Sequence, residues 1–455
     1  MGSLNLAMWI ASHALDAEQG ALNVTANNIA NASTPGYSRE VVDLSETTPS
    51  VVGGLTFGTG VSLDQIQSVR DQLLSLQIAE QTTQQSGAQT QLNALQQVQG
   101  LFSDPTQGIG ANLTAFFNSI SQLSTNPTDG ALRQSVITAA QNLVGSFNQT
   151  AQSLSRIQSN LNQTIPQTVD QINSLTKQIA QLNAQVGQMQ QLGKDPGSFL
   201  DQENQLINQL SQLTNVNETR TEQGLTLTTG SGTALVVGNQ SFDLQIGNGP
   251  NGMQDVFSQG QDITATIQGG NLGGAIQVRD QDIPGIVSQL NTLASDFATS
   301  FNAAQATGYD LNGNPGQALF TFNAAGPAAS LTLATTDPDA IAASSDGTPG
   351  SNGNIANLMA VQSQPLPSGQ TPTDTYAHIV SQSGNLASQA QADLAASTSS
   401  LTQLNDQLGA ISGVSINEET ANLLNYQNAF TAAAKVFNTV DELTQTILNM
   451  GAGIV

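Results

Sequence analysis

The stretch ANNIANASTPGYSRE, residues 26–40, ends one pattern and begins another. Before it, Leu4, Met8, Ala11, Leu15, Glu18, Leu22, Thr25 and Ile29 follow at alternating steps of four and three. Six of these eight are apolar, and Ala7, Ala14 and Ala21 run beside them. The spacing predicts a long helix with a seam for close packing on another helix. Asn27, Asn28 and Asn31 crowd its last turn; Asn31 suits a helix stop and Pro35-Gly36 a type II turn. Tyr37 to Leu44 then reads as a strand leaving that corner.

Working outward, the other end of the chain repeats the first pattern with Leu423, Tyr426, Phe430, Ala433, Phe437, Val440 and Ile447. On periodicity alone these are two core helices; their place at the chain's two extremes, with few charges on either, suggests that they pair. Because the seam carries Ala, Thr and Glu18, pairing within one chain should be marginal. Between the ends, helical stretches are expected near 71–102, 108–125, 131–150 and 199–213, with an elongated helix from Leu154 to Met189. Pro166 is expected to kink that helix or to start a second segment. From about residue 219 the spacing changes to Thr- and Gly-rich alternation, predicting short strands and tight turns. Helical spacing returns at 282–305, at about 374–410 and at 417–449, with a possible strand at SLTLATT, residues 330–336.

The expected fold class is mainly α with β-rich insertions: an elongated, multi-domain chain whose terminal helices pair as a coiled coil around a long helical-bundle middle. The domain division follows: residues 1–62 with 411–455 form a terminal unit with a connecting hairpin. Residues 63–218, 275–323 and 373–410 form an elongated helical unit. Residues 219–274 form a β-rich outer unit, and 324–372 an irregular outer patch rich in Gly, Pro and Ser.

Composition narrows the function. Nine Lys and Arg stand against 33 Asp and Glu, a formal net charge of −24. Nucleic acid requires a basic face to neutralise phosphates, so it is excluded as a partner, and an anionic membrane surface is disfavoured for the same reason. No apolar run reaches membrane-spanning length, so no membrane insertion is expected. The first 38 residues carry no Lys or Arg, which argues against a cleaved signal peptide. The chain is then either cytoplasmic or leaves by a route that reads no such signal. With no cysteine there is no disulfide, thiolate chemistry or sulfur-ligated metal, and the two histidines, His13 and His378, cannot form a paired zinc motif.

The remaining motifs are weak. GNGPNG at 247–252 has the letters of a phosphate loop, but no helix follows it. DLNGNPG at 310–316 alternates oxygen ligands as a calcium loop does, yet Thr321 stands where the bidentate Glu belongs. Asp243, Asp255 and Asp262 show no spacing suited to paired-acid catalysis. No enzyme, cofactor or metal site is expected.

The signature Asn27, Asn28, Ile29, Asn31, Thr34, Pro35, Gly36 and Tyr37 resembles that near the N-terminus of bacterial flagellar axial proteins, a family of rod, hook and hook-associated subunits. SGVSINEETANLLNYQNAFTAAAKVFNTVDELTQTIL, residues 412–448, looks like the matching end. GSFLDQENQLINQLSQLTNV at 197–216 and LGGAIQVRDQDIPGIVSQLNTLASDFATSFNAAQATGYDLNGNPGQALF at 272–320 resemble segments of the hook-associated members that join hook to filament. DPDAIAASS, at 337–345, continues the likeness in the same order. The resemblance implies a structural subunit exported unfolded by the flagellar type III system, with an export chaperone, and assembled outside the cell between hook and filament. Its implied partners are copies of itself, the hook protein and the second junction protein, met through the terminal helices. The asparagines would then bond backbone groups of neighbouring chains without adding charge. Two alternatives stay open: another axial subunit (second junction protein, hook or distal rod protein), or a coiled-coil surface adhesin.

Overall fold

A computed structural model describes residues 2–452 apart from 53, 222, 223 and 250. The chain starts with α1 (Gly2–Asn31), makes a β excursion and then builds its helical body. The excursion comprises β1 (Glu40–Glu46), β2 (Ser50–Val52), β3 (Leu55–Phe57) and β4 (Val61–Ser68). β1 pairs antiparallel with β4, from Glu40↔Ser68 to Glu46↔Val61 with a register shift at Asp43/Leu44, and β2 pairs with β3 at the tip. The body opens with α2 (Gln72–Gly100), α3 (Ile109–Leu123), α4 (Gly130–Gln191) and α5 (Gly197–Leu213). Asp71 caps α2 by accepting from Leu74 N, and Asp129 caps α4 by accepting from Ala131 N and Leu132 N, which satisfies amides that have no intrahelical partner.

α4 is one helix of 62 residues with Pro166 inside it, where the sequence suggests a kink or a second segment and a separate helix over 131–150. Proline costs a helix interior about 3 kcal/mol or more. Here burial on both sides offsets that cost, because Ile165 and Val169 are enclosed. Pro166 also lies where α4 passes from one hydrophobic core to the next: its buried apolar residues through Leu154 belong to the first, and those from Ile165 onward to the second.

Seven short strands follow: β5 (Val216–Thr221), β6 (Gly224–Thr229), β7 (Ala234–Val237), β8 (Gln240–Ser241), β9 (Gln245–Asn248), β10 (Gln254–Ser258) and β11 (Gln261–Asp262). They form a four-stranded sheet, β5-β6-β7-β8, and a three-stranded one, β11-β10-β9. Leu225, Leu227, Leu235, Val236 and Val256 from these sheets close the second core over α4 and α5, with Leu272 and Ile276 of α6 (Gly270–Gln277). After α6, five π-helical residues lead into α7 (Ile283–Ala306). The chain continues through β12 (Phe320–Thr321), α8 (Pro327–Ser330), β13 (Thr332–Leu333) and α9 (Ile355–Ser363). It returns along α10 (Pro372–Ser412) and ends in α11 (Ile416–Ala452).

The first core joins α2, α3, the N-terminal half of α4, α7 and α10 around Phe116, Phe297, Phe301 and Phe320. The stretch 324–372, expected as an outer patch, is irregular but not outer. Leu331, Ile341, Ala343, Ile355 and Leu358 sit fully inside this core. Only Thr332–Leu333 of the SLTLATT segment forms a strand.

Two arginines are fully enclosed in the body, and both are satisfied. Arg133 donates to the carbonyls of Pro127, Pro338 and Ile341. Arg279 is clasped by Asp280 and donates to Asn162 Oδ1 and the Gln254 carbonyl. Such pairing is the condition for burying a cation.

Candidate assembly site: the terminal layer and its corner

α1 and α11 lie side by side and antiparallel. Asn28, near the end of α1, donates to Glu419 at the start of α11 at 3.2 Å. Burial, and then the carboxylates of Glu18, farther back along α1, and of Glu419, hold the Tyr426 phenol above its usual pKa. Of the expected seam, Ala11 and Val440 are buried. Leu4, Met8, Leu15, Leu22 and Ile29 are half-buried, as are Leu423, Tyr426, Phe430, Ala433 and Phe437, and Ile447 is exposed. The fully enclosed positions of α1 fall partly on a neighbouring row, Ala17, Ala21, Val24 and Asn28. The β excursion packs against α1 at close range: a Cβ on Gly20 would meet Leu63, and one on Gly60 would meet Ile10.

The corner is organised by Asn28, the buried member of the signature. Its amide donates to the Glu40 carbonyl at 2.8 Å and to Glu419 Oε2, while its Oδ1 accepts from Glu40 N at 2.9 Å and from Tyr37 Oη at 2.8 Å. One side chain thus ties α1, the first residue of β1 and the start of α11. Asn27 reaches Tyr37 Oη and Glu40 Oε2, and Asn31 donates back to the Asn27 carbonyl at 3.0 Å. These amides bond within the chain. The turn is type II as expected: Gly36 has φ +77°, and Tyr37 N donates to the Thr34 carbonyl at 3.2 Å. Thr34, Pro35 and Gly36 are exposed, and Ile29, Asn31 and Tyr37 half-buried. Burial, and then the carboxylates of Glu40, Asp201 and Glu419, push the Tyr37 phenol well above its ordinary pKa, so it stays a donor. Tyr37 to Arg39 run outside the strand, which begins at Glu40.

Sequence reasoning missed the residues that hold this corner to the body. Asp201 of α5 accepts from Ser38 N and Oγ and from Arg70, and Gln205 donates to the Pro35 carbonyl at 2.6 Å. Arg39 N donates to the Ser412 carbonyl at 2.9 Å, and its guanidinium approaches Glu418 at 3.4 Å. No periodicity links residues so far apart in the chain. The quoted segment 197–216 contained Asp201, but nothing in it identified Ser38 as its partner.

Elsewhere the weak motifs resolve into turns. GNGPNG bridges β9 and β10, with residue 250 outside the described residues. Asp310 of DLNGNPG accepts from Asn312 N and Asn314 N of its own loop. Among the described residues no group of acidic and histidine side chains could hold a metal ion, and no helix is long and apolar enough to cross a membrane.

Seventeen large apolar side chains stand exposed among the described residues, and fifteen of them lie between Trp9 and Leu73 or between Ile411 and Met450. Only Leu192 and Val237 are elsewhere. Apolar side chains scattered singly over a surface are ordinary; here they gather on one layer.

Paired terminal helices with an asparagine corner thus carry a separate helical body. Both ends match family models, the flagella basal body rod protein over residues 8–37 and the C-terminal region of the flagellar basal body rod FlgEFG protein over 409–450. The middle, residues 95–320, matches the helical domain of the flagellar hook-associated protein FlgK. Flagellar hook-associated protein 1 of Bacillus subtilis (strain 168) is 30% identical over 505 aligned residues that span all of both chains. Its counterpart from Salmonella typhimurium is 27% identical, spanning 97% of this chain and 99% of that one. The flagellar hook junction protein FlgK from Burkholderia pseudomallei has the same fold, with a TM-score of 0.68 at 20% identity, over 74% of this chain and all of that one. The chain belongs to the flagellar hook-associated protein 1 family, and is a structural component of the bacterial flagellum.

Proposed function

We propose that the chain joins the hook to the filament, assembling through its terminal layer, residues 1–62 with 411–455. The helical body and the β-rich unit, 219–274, stand outside that layer. The observation that carries this reading is the location of the exposed apolar side chains: among the described residues, fifteen of seventeen lie on or beside the terminal layer. In one isolated chain they face water; in a tube of subunits they would face neighbours. Each Å² so removed contributes roughly 25 cal/mol.

The neighbours are further copies of the chain, the hook protein on one side and the second junction protein on the other. The role is mechanical and not enzymatic. Export through the flagellum's own channel, with a chaperone holding the chain, places it outside the cell; a chain without cysteine makes no disulfide cross-link in transit. Electron microscopy of cells lacking the chain tests the role. The expected result is hooks without filaments, with unassembled flagellin in the medium. Missing hooks would point to a rod or hook protein, and normal flagella would refute the proposal.

A further inference from the structure

The terminal layer and the body share no hydrophobic core. Among the described residues neither of the two large cores contains a side chain from α1, β1–β4 or α11. What crosses between them is polar, and its largest share converges on one carboxylate. Asp201, buried near the start of α5, accepts from Ser38 N at 3.0 Å and Ser38 Oγ at 2.7 Å. It also accepts from Arg70 Nε at 3.1 Å and Arg70 Nη2 at 2.9 Å. Ser38 lies two residues before β1 and Arg70 two residues after β4. One side chain therefore pins both ends of the β1–β4 excursion to the body. α5 itself is fixed, because Ile207 and Leu210 are buried in the second core.

The remaining ties among the described residues are few. Gln205 holds the Pro35 carbonyl, Arg70 also reaches the Gly197 carbonyl, Ser68 Oγ donates to Asp195 at 3.4 Å, and Arg39 N donates to the Ser412 carbonyl. Beside them opens a cleft of about 240 Å³, lined by Tyr37, Arg70, Asp201, Asn204, Asn208 and Asn405. Packed apolar surfaces resist rotation because many contacts must break together, whereas a polar joint next to open space is held only by its hydrogen bonds.

We infer that Asp201 is the positioning residue of this joint: through Ser38 and Arg70 it fixes the angle at which the terminal layer leaves the body, and without it the joint is a hinge. The inference rests on the assembly reading above, because a tube wall requires each subunit to present its terminal layer at one angle. Charge-assisted bonds with several donors on one acceptor suit that task, being short and directional.

The test uses the purified full-length chain. With no native cysteine, spin labels at Gln19→Cys on α1 and Gln163→Cys on α4, both exposed, report the distance across the joint without background. The parent should give one narrow distance distribution. Asp201→Ala should broaden it to about twice that width or more, with helical content by circular dichroism unchanged, as expected when one population becomes several. Ser38→Ala combined with Arg70→Gln removes the same bonds from the other side, and should broaden it equally. A parent-like width in either variant would overturn the inference. So would loss of body helicity in both, which would make these residues determinants of folding and not of the joint. In cells, Asp201→Ala should lower the number of attached filaments. A broadened joint with normal filament numbers would refute the positioning role, while leaving the junction role to its own test in cells lacking the chain.

Discussion

The body and the terminal layer are built from similar residues but finished differently. In the body, Phe116 meets Phe117, Phe297, Phe301 and Phe320 at centroid distances of 5.1 to 5.9 Å, and every one of these rings is enclosed. Its buried arginines are likewise paired. In the terminal layer, two of the longest helices meet along a half-buried seam while Trp9, Leu424, Val436, Leu443 and Met450 stand in water. The body is a completed fold; the terminal layer leaves apolar surface uncovered, as the assembly proposal requires. On that proposal, stability and assembly are carried by separate parts of the chain, so substitutions should affect one without the other.

The sharpest way to break that separation is in the body core. Phe116→Ala should cost about 3–5 kcal/mol, read as a lower denaturation midpoint by circular dichroism. Trp9, the only tryptophan, lies on α1, and its fluorescence should report an unchanged local transition in the terminal layer. A parallel fall in both signals would mean that the two parts unfold as one.

Asn28→Ala should do the reverse at smaller cost. It leaves the Glu40 amide and the Tyr37 hydroxyl without their acceptor, a loss of about 1–3 kcal/mol for buried groups. Hydrogen exchange should accelerate over residues 24–31 and 416–425 and stay unchanged over 109–123. Equal acceleration in both would show that the corner supports the body as well.

Glu18→Gln should act more gently and with a defined pH dependence. Burial raises the Glu18 carboxyl above its ordinary 4.5, and its Oε2 is enclosed without a hydrogen-bond partner. The folded layer therefore holds that proton more tightly than the unfolded one does. This group's contribution to stability falls as pH rises from 4.5 to the raised value, and stays low above it. Trp9-monitored unfolding of the parent should lose stability over that window, and Glu18→Gln should lose less. Identical pH profiles would remove Glu18 from the pairing interface.

How far the sequence carried these distinctions depends on the range of the interaction. Pro35-Gly36 was legible because a type II turn needs the positive φ that glycine supplies. The terminal heptads were legible as helices but less so as a seam. Leucines such as Leu15 and Leu22 were expected to be central, while Ala17, Ala21 and Val24 are the enclosed ones, because small side chains let neighbouring elements approach closely. Pro166 does not start a second segment, because the helix continues through it with Ile165 and Val169 buried on either side. Ile341, Ile355 and Leu358 lie in a segment without regular periodicity, so their place in the core left no pattern to read. Asp201 was beyond reach for a different reason: its partner Ser38 is 163 positions away.

Leu424→Asp is the smallest change in stability and the most direct test of the uncovered surface. Leu424 is 55% exposed on α11, so the substitution should alter the unfolding of the purified chain by no more than about 0.5 kcal/mol. Counted by electron microscopy, cells producing this variant should carry hooks without filaments. Filaments in normal number on such cells would contradict the assignment of that surface to assembly.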